Sequence, residues 1–96
     1  MATTNTESIY YVCADNHRGE TYHFTKENNV YPSDFQRSTP YDAEFSDIKQ
    51  IRTWLPEIQK TYNKVRSTYG LRDLYIVHKQ IVTTETALSF SNLLSN

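Results

Sequence analysis

The chain has 96 residues, of which 38% are apolar and 14% aromatic, and its formal net charge is −1. This length suits one domain, and the aromatic side chains supply much of the apolar surface a fold needs, so the sequence predicts a single small domain over residues 1–96. Acidic residues prevail before Phe45 and basic residues after it, which argues against a protein that binds nucleic acid through a large overall positive charge.

Residues 1–7 are expected to form a flexible N-terminal tail. Residues 8–14 and residues 21–26 are then rich in strand-forming side chains, and the Asn and Gly between them are typical of a β-hairpin turn. If Asp15 pairs with Glu20, one face of the hairpin becomes the core face. That face would carry Ile9, Tyr11, Cys13, Tyr22 and Phe24. The opposite face would carry Tyr10, Val12, Ala14, Thr21, His23 and Thr25.

Residues 26–45 show no strong periodicity. A structureless loop of this length is unusual in a small domain, and two interpretations stay open. Either the segment contains a short element near residues 33–37, or it is a functional loop. We expect its aromatic side chains to anchor it to the core; they are Tyr31, Phe35 and Tyr41.

Residues 46–69 carry the clearest pattern in the chain, with apolar residues recurring every three or four positions as on one face of a helix. Ser46 suits the N-cap, and Gly70 suits the position after the C-terminus. Pro56 lacks an N–H donor, so it kinks or breaks the helix. Because the apolar pattern continues through Pro56, we expect one long kinked helix; two separate helices are the alternative.

Residues 74–84 are rich in β-branched side chains and predict a third strand, and residues 86–96 are expected to form a short terminal helix or a frayed tail. The element order is ββαβ. The predicted fold class is therefore α+β: a three-stranded antiparallel sheet of spatial order 2-1-3, with one long, Pro-kinked helix packed on one face. In this fold, two helix residues, Ile58 and Tyr62, should pack against Tyr11 and Phe24.

The residues that could perform chemistry do not form a recognised motif. Cys13, His17 and His23 have a spacing within reach of zinc, but the predicted hairpin puts Cys13 and His23 on opposite faces and a fourth ligand is missing. A thiol in the middle of a strand is usually inert as a nucleophile. With only two glycines, the chain cannot contain a Gly-rich phosphate loop. The sequence thus predicts no cofactor, no metal and no enzymatic activity.

The expected compartment follows from three absences in the sequence. Cys13 is the single cysteine, so no intrachain disulfide can form, which favours the reducing cytosol. The first residues have neither the basic nor the apolar region of a signal peptide. No apolar run approaches the ~20 residues of a membrane span. A cytoplasmic protein without membrane contact is expected.

Two surfaces are candidates for binding a partner. The first is a row of cations on the outward face of the helix, Lys49, Arg52, Lys60 and Lys64, which we call the basic stripe. It could contact phosphates or an acidic protein surface, or simply be solvated. The second is the sheet face away from the helix, with Tyr10, Val12 and His23 and, if Leu74 and Ile76 point inward, Tyr75 and Val77. This face could stack bases, form a dimer, or be covered by the 26–45 segment or the C-terminal tail.

In size and composition the chain is similar to the small accessory proteins of bacteriophages, being short, rich in Tyr and Asn, and free of motifs. That resemblance implies a protein that binds and inhibits another protein. The leading hypothesis is a small non-enzymatic binding protein, a phage-type accessory inhibitor acting by stoichiometric protein–protein interaction. The alternative is a nucleic-acid or nucleotide-ligand binder that uses the basic stripe. A homodimer through the open sheet face or an edge strand is also compatible with the pattern.

Overall fold

The structure is a computed structural model that describes residues 2–87. Its elements follow in chain order: β1 (Ala2–Asn16), β2 (Thr21–Thr25), β3 (Asp34–Gln36), a 3₁₀ turn (Tyr41–Ala43), α1 (Ile48–Tyr69) and β4 (Leu71–Thr86). The strands form one antiparallel sheet in the order β3-β2-β1-β4, with α1 packed on one face.

The expectation of a three-stranded sheet of order 2-1-3 is wrong, because β3 adds a fourth strand beside β2. Of the two interpretations of residues 26–45, the structure contains the short element. Phe35 lies opposite Phe24 in the β2–β3 pairing and is 2% exposed. Burial of this one aromatic side chain anchors a strand that is too short to show an alternating pattern in the sequence. Tyr31 and Tyr41 are 66% and 84% exposed, so the expectation that they also anchor the segment is wrong.

The predicted register of the first hairpin is wrong by one residue, because the loop has three residues instead of four. Cys13 lies opposite His23, and Ala14 opposite Tyr22. Asn16 closes the loop: its backbone N–H donates to Glu20 O at 2.9 Å, and its side chain accepts from the backbone N–H groups of Arg18 and Glu20. The residue before Glu20 is a glycine with φ of 79°, which completes the type I turn plus bulge of three-residue hairpins.

This register decides which side chains face the helix. The helix side of the sheet carries Tyr10, Val12, Ala14, Tyr22 and Phe24, and the opposite side carries Ile9, Tyr11 and Cys13. Ile58 and Tyr62 are buried with Phe24, as expected, but Tyr11 lies on the other side of the sheet. The core therefore forms between α1 and the helix side of the sheet.

A single helix, α1, passes through Pro56. The N-cap is Asp47 and not Ser46, since Asp47 Oδ1 accepts a 2.7 Å hydrogen bond from the Gln50 backbone N–H. Ser46 contributes from outside the helix by donating to Gln50 Oε1. Gly70 ends the helix in the left-handed conformation, as expected from the sequence.

The strands β1 and β4 continue beyond the body of the domain as a two-stranded ribbon, formed by residues 2–8 and residues 80–86. Its last pair is Ala2 and Thr86. Residues 2–7, expected as a flexible tail, are thus part of β1. The radius of gyration is 19.0 Å, whereas a globular chain of this length has about 12 Å. Of the segment 86–96, Thr86 ends β4 and residues 88–96 lie outside the described part of the chain.

Candidate protein interface

The basic stripe lies on the solvent side of α1. All four side chains, Lys49, Arg52, Lys60 and Lys64, are exposed, and they fall within about 120° of the helix circumference. Among residues 2–87 none of the four takes part in an ion pair. Arg52 and Lys60 are about 12 Å apart along the axis, with Pro56 between them. The stripe is therefore two separate pairs of cations.

Tyr10 and His23, expected together on the open sheet face, are on opposite sides of the sheet. Tyr10 packs on the edge of the helix-side core and stacks on His78, with ring centroids 4.3 Å apart. The ring of His23 lies on the other side, edge-on to Tyr11, and its Nδ1 is 3.2 Å from Gln36 O. The one-residue difference in register separates them.

The sheet face away from the helix is partly covered. Ala43, in the 3₁₀ turn of the 26–45 segment, packs on Tyr11 and Cys13. Burial, with a smaller contribution from the charge of Asp15, raises the pKa of the Cys13 thiol to about 11. A shielded and poorly ionised thiol is a weak nucleophile.

Cys13 and His23 are neighbours on the same face, so the argument that separated them across the sheet is wrong. Within residues 2–87, no group of three or more His, Cys, Asp or Glu side chains is arranged to hold a metal ion. In the same part of the chain, no helix is long and apolar enough to cross a membrane.

An apolar groove of about 330 Å³ runs between α1 and β4. It is lined by Val12, Ile51, Leu55, Ile58, Leu74, Tyr75 and Ile76. Leu55 is 50% exposed and Ile76 49% exposed, values that are high for aliphatic side chains beside a core. On the opposite face of β4, Tyr75 and Val77 are exposed as well.

Within residues 2–87, the backbone beside this groove has hydrogen-bonding groups without a partner strand. Tyr10 N–H donates to Phe45 O at 2.8 Å and Phe45 N–H to Tyr10 O at 2.9 Å, so the peptide groups of Tyr10 point away from β4. Tyr10 faces His78 in β4, so the peptide groups of His78 point away from β1. By the alternation of a strand, those of Leu74 and Ile76 point the same way. No strand of the described chain lies beyond β4.

We call this combination the edge surface: the free backbone edge at residues 74–78 together with the apolar groove. Natural sheets usually protect such edges with proline, bulges or inward charges. Residues 71–86 contain no proline, and the irregularity in the β1–β4 pairing lies before Leu74, at Ala14 and Asn16. The sequence of this strand has apolar residues at both odd and even positions, and this is the sequence signal of the edge surface.

Comparison of the chain with protein-family models, with curated proteins and with solved structures found no match.

Proposed function

We propose that this chain is a small non-enzymatic binding protein that acts by stoichiometric protein–protein interaction through its edge surface. The observation that supports the proposal is the coincidence of two features at one place. Peptide groups of β4 that have no partner strand within residues 2–87 lie directly beside exposed Leu55 and Ile76. Each feature alone is common on protein surfaces, but together they form a template for another strand.

The mode of binding is addition of a strand to the sheet. An extended segment of a partner would exchange backbone hydrogen bonds with Leu74, Ile76 and His78, which gives affinity with little dependence on sequence. Alternate side chains of that segment would enter the apolar groove, which gives specificity. The expected occupant is therefore an extended polypeptide with apolar side chains at every second position.

Nucleic-acid binding through the basic stripe is the second candidate. The four exposed cations favour it, since exposed Lys and Arg on a helix can contact phosphates. The two separate pairs of cations and the net charge of −1 favour it less than one continuous basic surface would. For this reason the edge surface is the leading candidate.

Two variants distinguish the candidates. Ile76→Lys places a charge in the edge surface, and a quadruple variant with Glu at positions 49, 52, 60 and 64 reverses the basic stripe. Both should keep the circular dichroism spectrum, because all five positions are exposed. The assay compares capture of partners from extract of the source cells by wild type and variants, with and without nuclease.

The proposal predicts that Ile76→Lys abolishes capture, and that the quadruple variant and nuclease leave it largely intact. Loss of capture with the quadruple variant or after nuclease, together with undiminished capture by Ile76→Lys, would favour nucleic-acid binding. In that case the affinity should also fall steeply with salt.

A further inference from the structure

We infer that the strand received by the edge surface is β4 of a second copy of this chain, paired antiparallel about a two-fold axis at Ile76. This inference rests on the proposed function, since it names the occupant of the same surface. The result would be a continuous eight-stranded sheet, with both helices on the same side.

The backbone geometry permits this pairing. The peptide groups of Leu74, Ile76 and His78 point to the free edge, as derived from the Tyr10–Phe45 bridge. In an antiparallel pair centred on Ile76, Ile76 exchanges both hydrogen bonds with its own counterpart. Leu74 then does the same with His78 of the second copy. No outward-pointing group between these residues is left without a partner.

Opposite charges, together with cover of the apolar groove, favour this register over two alternatives. A pair centred on Ile76 brings Asp73 beside Lys79 of the second copy, and does so twice because of the two-fold symmetry. A pair centred on Lys79 would set Lys79 opposite itself and Asp73 opposite Glu85. A pair centred on Val82 also matches opposite charges, Lys79 with Glu85. It joins the threonine-rich ribbons, however, and leaves the apolar groove open.

The Ile76 register also buries the exposed apolar side chains on both faces of β4. On the helix side, Ile76 meets its counterpart beside the two Leu55 side chains, which are half exposed in the single chain. On the other side, Tyr75 lies opposite Val77 of the second copy. Cross-strand pairs of an aromatic with a β-branched side chain are among the stabilising ones.

In the same arrangement, the projecting ribbon of each copy would contact the body of the other copy. Gln80 lies opposite Arg72 of the second copy, so the ribbon continues past the start of that copy's β4 and runs alongside its body. A two-stranded ribbon is only marginally stable alone in water.

The first test is disulfide trapping in a Cys13→Ala background. Paired residues at a two-fold of this kind have Cα atoms about 5.5 Å apart, within disulfide range. Ile76→Cys should therefore give a covalent dimer under mild oxidation. The matched control is Val82→Cys, which lies opposite position 70 of the second copy and should stay monomeric on a non-reducing gel. Trapping through position 82 and not through position 76 would overturn the register.

The second test is a charge exchange, read by the concentration dependence of mass in sedimentation equilibrium. Asp73→Lys and Lys79→Asp should each raise the dimer dissociation constant about ten-fold or more, because each puts like charges together twice. The double variant should restore it. Glu85→Lys should have no comparable effect, since Glu85 has no charged counterpart in the Ile76 register. A double variant no tighter than the singles would overturn the inference.

The outcomes separate the inference from the proposed function. If the wild-type chain stays monomeric up to about 0.5 mM, any dimer it forms is too weak to be specific. That result would overturn the inference. If Ile76→Lys still abolishes capture of another protein, the proposed function stands with a different occupant. If the chain is monomeric and Ile76→Lys captures partners normally, both fail.

Discussion

The hydroxyl of Tyr75 donates a 2.6 Å hydrogen bond to Oδ1 of Asp15, across the strands β4 and β1. The same oxygen accepts a 2.9 Å hydrogen bond from the Thr21 hydroxyl in β2. One carboxylate therefore joins three strands of the sheet on the face away from the helix. Hydrogen bonding, first from Tyr75 and then from Thr21, lowers the pKa of Asp15.

Tyr75→Phe should raise the pKa of Asp15 toward its ordinary value, because the strongest donor to its charged form is removed. The measurement is the carboxyl ¹³C chemical shift of Asp15 against pH. A carboxyl whose folded pKa is lowered contributes stability above its unfolded pKa and loses it as pH falls through the folded pKa. The stability difference between wild type and variant should thus be present near neutral pH and vanish in acid. An unchanged Asp15 titration would contradict this.

Ile58→Ala should lower the free energy of unfolding by about 2–5 kcal/mol, since it leaves a cavity in the core. Ile58 is 1% exposed and packs with Phe24 and Tyr62. Ile48→Ala is the matched control: the same change of side chain at a helix residue that is 37% exposed should cost much less. Urea unfolding at one protein concentration gives both values. Equal losses of unfolding free energy in the two variants would mean that Ile58 does not face the core.

Cys13 should react slowly with a thiol reagent in the native state and rapidly in denaturant. Burial raises its pKa to about 11, so little thiolate is present near neutral pH. Because the folded pKa is raised, the thiol's contribution to stability is present below its ordinary pKa and is lost as pH rises through 11. Val82→Cys in a Cys13→Ala background, at an exposed position, should label fast. Equally fast native labelling of Cys13 would contradict its burial.

Asn16→Ala should destabilise the domain by about 1–3 kcal/mol, because its side chain makes three hydrogen bonds in the hairpin loop. It accepts from the backbone N–H groups of Arg18 and Glu20 and donates to Glu20 Oε1 at 2.8 Å. Glu20→Ala leaves both acceptor contacts of Asn16 in place and should cost less. Thermal unfolding followed by circular dichroism checks both. A neutral Asn16→Ala would mean that the loop residues do not hold the register.

The helix was predictable from the sequence and the sheet only in part, for a physical reason. Apolar residues recur with the 3.6-residue period of a helix throughout the 22 residues of α1, so only one face of α1 can pack on the sheet. The opposite face, which carries the basic stripe, is therefore in solvent. The hairpin register depends on a difference of one residue in loop length, and both registers leave a plausible apolar face. The hydrogen bonds of the Asn16 side chain close the three-residue loop and so favour the observed register.

Other features are set by contacts that no local pattern reports. The strand β3 has three residues, and its place depends on Phe35 meeting Phe24. The ribbon is polar on both sides, so its N-terminal strand reads as a tail until it is known to pair with β4. The edge surface could not be located, because a sequence does not state which strand lacks a neighbour.

The pairing of β1 with β4 also determines the order in which the fold can be completed. Ala2 pairs with Thr86, and every intervening pair of these two strands joins positions far apart in the chain. Contacts of such long range are slow to form, because the loop between them must first be closed. During synthesis, β1 emerges from the ribosome long before its longest neighbour exists. Its apolar residues Tyr10 to Ala14 must stay unaggregated for that interval, and the hairpin with β2 is the local structure available to shield them.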